Sequence, residues 1–167
     1  MNSVQIITRQ FVMQTRFYKN VLSDINEEES RLRLNKHTNH LAWIAGHLAV
    51  IRFGLAVRLG LRTNKYPHMD LFVIKDIPPP NAKALDESVN YPGLSVTLKY
   101  WDSYSEFLTK RLPLLSEEQL NSELAFTTPI GGKSVLESLA FTVSHESYHI
   151  GQMSIIRKSL GHKAMTY

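Results

Sequence analysis

Helix breakers in this chain are concentrated between four long stretches of helical periodicity, and this distribution sets its fold class. The stretches predict helices at about residues 3–24, 39–61, 94–111 and 134–160. Five prolines between the second and third stretches exclude a continuous helix there. The prediction is therefore an all-α four-helix bundle with non-sequential packing, in which a long crossover at about residues 62–93 joins helices 2 and 3.

Residues at the predicted helix ends support these boundaries. Thr38 or Asn39 can cap the second helix by accepting an unpaired backbone N–H. Ser134 and Glu137 have the spacing of a capping box, which predicts where the fourth helix begins. Gly161 fits the C-terminal end of that helix.

Length and composition bound the class of protein. With 167 residues, 43% of them hydrophobic, the chain suits one globular domain over residues 1–167 and excludes a disordered chain. No apolar run reaches the roughly 18 residues that a membrane span needs, so we expect no membrane association. The absence of Cys excludes thiolate metal sites and Cys nucleophiles and fits a reducing compartment. The N-terminal stretch has the periodicity of an amphipathic helix and no continuous apolar signal-peptide core, so we expect a cytoplasmic protein.

The basic charge balance raises nucleic acid as an alternative partner. The net charge is +4 and the isoelectric point is near 9.3. The basic residues are scattered, however, and form neither a dense stripe nor a recognition helix rich in Arg, Asn and Gln. We therefore disfavour a nucleic-acid partner.

Histidines on two predicted helices are the strongest candidates for chemistry. His145 and His149 are four residues apart, so they lie on one face of the fourth helix, about 40° apart around its axis. On the second helix, His47 and His40 share an apolar face, but their separation along the helix axis is roughly 10 Å. One ion cannot bind both directly, and we favour His47, which lies deeper in the apolar stretch.

The spacing of the histidine pair does not by itself distinguish metal ligation from ordinary packing. Two imidazoles on a buried helix need partners for their nitrogens, and hydrogen bonds can supply these as well as an ion can. The inward position of His47 on a second helix favours metal ligation over ordinary packing. Three neutral imidazoles would hold a divalent ion and leave coordination positions open, as in catalytic sites. Zinc, nickel, iron and manganese suit such a set to differing degrees.

Residues beside the histidines are weaker candidates. Residues 145–149 spell H-E-x-x-H, the zinc metalloprotease pattern, in which Glu146 would be the general base. A zincin is disfavoured because position 155 is Ile and no acidic residue follows Glu146. Glu146 can still approach a metal-bound water, although a solvent-facing or interface position has more weight. Tyr148 and Gln152 are candidates to orient an imidazole or to donate to a bound anion, and packing explains them nearly as well.

Three segments carry a resemblance to a known family. They are W-I-A-G-H-L at residues 43–48, Y-P-G-L at 91–94 and H-E-S-Y-H-I-G-Q at 145–152, the last being the most specific. Together with R-K-S-L-G at 157–161, they resemble the DinB-like (DinB/YfiT) superfamily over nearly the whole chain. The resemblance implies a four-helix bundle with a long connection between helices 2 and 3. It also implies a metal-binding triad of His47, His145 and His149. Family members are often homodimers, so we expect a homodimer.

The resemblance also suggests what the metal does. Family members with known activity include S-transferases and isomerases that use bacillithiol, mycothiol or related low-molecular-weight thiols, and others are called metal-dependent hydrolases. We therefore expect the metal to activate a thiol cosubstrate or water for transfer to an electrophilic small molecule.

One more residue, Arg58, is a candidate for binding a ligand, and two functions other than an enzyme stay open. Arg58, roughly three turns from His47 on the same face, is a candidate for binding a thiol or substrate carboxylate. A surface Arg at a helix end is the simpler interpretation. The alternatives to an enzyme are a non-catalytic metal- or ligand-binding module and, less favoured, a DNA-binding stress protein.

Overall fold

The computed structural model describes residues 2–62, 66, 68–74 and 81–166, which are mainly helical. The helices are α1 (Ser3–Leu22), α2 (Leu41–Arg58), α3 (Leu94–Arg111), the short α4 (Glu117–Asn121) and α5 (Val135–Ser159). Single 3₁₀ turns lie at Glu29–Arg31, Met69–Leu71 and Leu112–Leu114. The predicted set of four long helices is confirmed.

The four long helices form a bundle in which neighbours in sequence are not always neighbours in space. α1 and α2 each pack mainly against α3 and α5, so α1 lies diagonally across the bundle from α2. The core between the helices is filled by large, almost fully buried side chains, including Phe11, Tyr18, Leu48, Trp101 and Leu139. This is the non-sequential four-helix bundle that the sequence predicts.

The helix ends follow capping chemistry, with one correction. Ser134 accepts the backbone N–H of Glu137, and the Glu137 carboxylate accepts the backbone N–H of Ser134, which confirms the predicted capping box. The prediction that Thr38 or Asn39 caps the second helix is wrong. His40 caps α2 instead, through its Nδ1, which accepts a first-turn backbone N–H at 3.0 Å. A His ring nitrogen here replaces the more usual hydroxyl or amide oxygen as the acceptor.

The long crossover between α2 and α3 is confirmed where the structure describes it. It includes an antiparallel pair of two-residue strands, β1 (Val73–Ile74) and β2 (Asn81–Ala82). Four of the prolines that led to the prediction, at positions 67 and 78–80, lie outside the described residues. Before β1 the crossover includes the 3₁₀ turn at Met69–Leu71, and after β2 it continues to the start of α3.

By length and composition α2 could cross a membrane, and it is the single described helix that meets this test. In the fold, however, 78% of this helix is buried inside the protein. Its apolar surface is covered by α3 and α5, as expected for the core helix of a bundle.

A glycine in α2 lets the crossover pack directly onto that helix. A Cβ atom at Gly46 would lie 2.2 Å from the ring of Phe72. Phe72 is fully buried and its ring also packs near those of Trp43 and Tyr91. Because Gly46 has no side chain, the Phe72 ring can pack directly on α2. This contact places the crossover beside His47, the residue after Gly46.

Gly46→Ala is expected to lower the free energy of unfolding by up to about 2 kcal/mol. Overpacking against Phe72 costs about 1–3 kcal/mol, and the gain in helix propensity offsets roughly 1 kcal/mol of it. Gly54→Ala in the same helix is the matched control, because nothing lies within 4 Å of its added Cβ. That control is expected to gain up to about 1 kcal/mol. Urea denaturation measures both, and equal stabilisation of the two variants would contradict the packing argument.

Candidate metal centre

Three histidines bring their ring nitrogens together between α2 and α5. His145 Nε2 lies 3.3 Å from His47 Nε2 and 3.2 Å from His149 Nε2. One ligating nitrogen from each ring lies within 4.8 Å of the other two. The four-residue spacing on α5 and the inward position of His47 on α2 therefore produce a cluster that could hold a metal ion.

Hydrogen bonding alone does not account for this cluster. An imidazole nitrogen offers either one proton or one lone pair, so His145 Nε2 can form a good hydrogen bond with His47 or His149, but not with both. In tetrahedral zinc sites, nitrogens about 2.0–2.1 Å from the ion lie roughly 3.3–3.4 Å apart. The two Nε2–Nε2 separations at His145, 3.3 and 3.2 Å, fit ligation of a shared divalent ion.

Burial keeps the three imidazoles neutral. His47 is 3% exposed, whereas His145 and His149 are half-buried. Burial, reinforced by the two neighbouring imidazoles, lowers the pKa of His47 to about 3. Burial and then the proximity of His149 lower the pKa of His145 to about 4, and burial lowers the pKa of His149. At neutral pH each ring therefore has a lone pair available for a cation.

Neighbouring side chains orient two of the rings. Trp43 stacks on His47, with ring centroids 5.1 Å apart and ring planes at 10°. His149 Nδ1 and Gln152 Oε1 are 2.7 Å apart, and Gln152 Nε2 donates to the Tyr148 hydroxyl at 3.0 Å. The structure thus places both Gln152 and Tyr148 next to His149.

Glu146 does not face solvent, which corrects the expectation from the sequence. Its side chain is fully buried. Both of its carboxylate oxygens accept hydrogen bonds from the Arg52 guanidinium, at 2.7 and 2.8 Å. The physical reason is the buried charge of Arg52, which would be strongly destabilising without a counter-charge. The structure gives Glu146 no hydrogen bond to the described histidines.

Arg52 is the central polar residue that the sequence analysis missed. It is fully buried in α2, and its guanidinium carbon lies 3.6 Å from the centroid of the Trp101 ring on α3. It donates to the Thr15 hydroxyl on α1 at 2.7 Å and to the Ser105 hydroxyl on α3. With Glu146 on α5, this network joins all four long helices. The available signal was an Arg within the most apolar predicted helix and a Glu in the middle of another apolar helix.

The structure does not bring Arg58 into the histidine cluster. Arg58 is the last residue of α2 and donates to the Ser138 hydroxyl at 2.8 Å. Its guanidinium carbon also lies 5.0 Å from the centroid of the Phe126 ring. Ser138 precedes His145 on α5 by about 10 Å along the helix axis.

Comparisons with known proteins give the family context. The family model of the DinB superfamily matches residues 10–153 of this chain. A search of curated proteins found no match.

Solved structures share the fold at low sequence identity. A conserved protein from Enterococcus faecalis has a TM-score of 0.70 and 14% identity, with 98% of this chain and 99% of that chain covered. YfiT from Bacillus subtilis, described as a probable metal-dependent hydrolase with an unusual four-helix bundle topology, has a TM-score of 0.65 and 14% identity over 96% of this chain and 89% of that chain. A DinB-like protein from Bacillus subtilis has a TM-score of 0.62 and 14% identity, with 96% of each chain covered. At this level of identity, the likeness shows the fold alone.

Proposed function

This chain belongs to the DinB superfamily, and from that premise we propose that it is a metal-dependent enzyme acting on an electrophilic small molecule. His47, His145 and His149 hold a divalent ion, with zinc and nickel preferred over iron and manganese. When bound, such an ion lowers the pKa of a low-molecular-weight thiol or of water, so that the reaction is thiol transfer or hydrolysis. We place the enzyme in the cytoplasm, where such thiols are kept reduced.

One observation carries this proposal: His145 Nε2 contacts two other neutral imidazole nitrogens, at 3.3 and 3.2 Å. A single proton cannot serve both contacts, whereas a cation serves all three lone pairs. A three-histidine set leaves coordination positions for reactants, as catalytic sites do. The description of the fold neighbour YfiT as a probable metal-dependent hydrolase supports the same chemistry.

Residues around the cluster set the tautomer of one ligating imidazole and shield another from water. The Gln152 amide oxygen holds the proton of His149 at Nδ1 and so leaves the Nε2 lone pair for the ion. The Trp43 ring covers one face of His47 and excludes water from that side. Because His145 and His149 are half-buried, a small-molecule substrate reaches the cluster from the side of α5.

A non-catalytic ion that only ties α2 to α5 has less support. The buried ion pair of Arg52 and Glu146 already joins these two helices without a metal. A purely structural site also favours four protein ligands over three. Chelation is therefore expected to lower the melting temperature only modestly.

Elemental analysis of untagged protein tests the proposal. Wild type is expected to hold close to one equivalent of metal, and the triple variant His47→Ala, His145→Ala, His149→Ala is expected to hold none while keeping its helical circular dichroism. The loaded wild type is then screened for thiol transfer to electrophiles and for hydrolysis. Wild type that stays metal-free after incubation with zinc, nickel or manganese would overturn the proposal. Bound metal with blank screens and a large fall in melting temperature on chelation would favour the binding module.

A further inference from the structure

A chain of hydrogen bonds leads from His149 to the protein surface. His149 Nδ1 and Gln152 Oε1 are 2.7 Å apart, and Gln152 Nε2 lies 3.0 Å from the Tyr148 hydroxyl oxygen. The rings of Tyr148 and His149 meet edge to face, with centroids 5.0 Å apart. Tyr148 is 63% exposed, and no described residue other than Gln152 bonds to its hydroxyl. The chain therefore ends on a phenol that is open to solvent and whose ring contacts His149.

Metal binding by His149 fixes the direction of each hydrogen bond in this chain. When Nε2 of a neutral imidazole holds a cation, the ring proton is on Nδ1, and that N–H can only donate. Gln152 must then present its oxygen to His149 and its NH₂ group to Tyr148. The Tyr148 oxygen accepts that bond, so its own proton is left to donate outward.

A cation also strengthens the donors along the chain. Positive charge at Nε2 makes the Nδ1–H of His149 a stronger donor, and linked hydrogen bonds polarise one another. The phenol O–H at the end of the chain is improved as a donor in the same way. A ligand oxygen that carries negative charge gains most from such a donor.

We propose that Tyr148 is a substrate-binding residue whose hydroxyl donates a hydrogen bond to an anionic oxygen of the substrate. The inference rests on the proposed function. It narrows the substrate class to electrophiles with a carboxylate, or with a carbonyl oxygen that gains negative charge in the reaction. Gln152 is a positioning residue, because it acts through His149 and Tyr148.

Acetate binding to the cobalt-loaded protein tests the proposal without an activity assay. Cobalt(II) absorbs visible light, so an acetate titration followed by absorption yields a Kd. Tyr148→Phe removes only the hydroxyl and is expected to raise the acetate Kd by about 10-fold or more, as for the loss of a hydrogen bond to a charged group. Ser144→Ala, one turn earlier, removes a hydroxyl that donates to a carbonyl of its own helix, and it leaves the Kd unchanged.

The tautomer of His149 gives a second readout, on metal-free protein. In long-range ¹H–¹⁵N NMR spectra, wild type and Tyr148→Phe are expected to show His149 protonated at Nδ1, and Gln152→Ala is expected to show a mixture of tautomers.

The outcomes separate this inference from the proposed function. An unchanged acetate Kd in Tyr148→Phe, or His149 protonated at Nε2 in wild type, would overturn the role of Tyr148 while leaving the metal site in place. Acetate that does not perturb the wild-type cobalt spectrum would overturn it too. Failure of wild type to bind cobalt would overturn the proposed function, and this inference with it.

Discussion

Glu146→Ala is expected to lower the free energy of unfolding by about 3–5 kcal/mol. The substitution leaves the guanidinium of Arg52 fully buried and removes the two hydrogen bonds, at 2.7 and 2.8 Å, that neutralise its charge. Because domains of this size have only about 5–15 kcal/mol of stability in total, this loss is a large share of the free energy of unfolding. Urea denaturation followed by circular dichroism measures the loss.

A double substitution separates the effect of the ion pair from that of its surroundings. Arg52→Met combined with Glu146→Leu removes both charges at similar volume, so it is expected to be more stable than Glu146→Ala alone. The hydroxyls of Thr15 and Ser105 keep partners in this variant, because each also donates to a carbonyl of its own helix. A loss below about 1 kcal/mol in Glu146→Ala would contradict the burial argument and place the pair among solvent-exposed ion pairs.

His47→Ala is expected to weaken metal binding by at least about 100-fold. The substitution removes one of three nitrogens, and even the outer partners of metal ligands are worth about 10–100-fold each. Competition with a chromogenic chelator measures the affinity.

The matched control for His47→Ala is His40→Ala, in the same helix region. His40 caps α2 through its Nδ1, so its removal is expected to lower the free energy of unfolding by about 1 kcal/mol and to leave metal affinity unchanged. Similar losses of affinity in the two variants would mean that the ion binds elsewhere or that both effects come from disruption of α2.

Features that depend on spacing along one helix could be predicted from the sequence. Residues four apart on a helix share a face whatever surrounds them, which is why His145 and His149 could be paired before the fold was known. The bundle itself follows from apolar periodicity sustained over many turns and from the clustering of prolines. The choice of His47 over His40 needed only the depth of each residue in the apolar stretch, and the structure places His47 in the cluster.

Features that depend on contacts between distant helices could not be predicted in this way. Periodicity places Glu146 beside His145, but its partner Arg52 lies 94 residues earlier in the chain. Whether these two residues meet depends on the axial offset between the packed helices α2 and α5, which no local sequence pattern encodes. The close contact of Gly46 with Phe72 is of the same kind, because Phe72 belongs to the irregular crossover. The cap at His40 was missed for a different reason, since imidazole is an uncommon capping group.

The two tryptophans of the chain give the protein a built-in optical reporter and its internal reference. Trp43 lies beside the ring of His47, at 5.1 Å between centroids, and near Phe72 of the crossover, at 6.2 Å. Trp101 is buried in the core, where the guanidinium carbon of Arg52 lies 3.6 Å from its ring centroid. Fluorescence from the first therefore follows events at the histidine cluster and the crossover, while fluorescence from the second follows the integrity of the bundle.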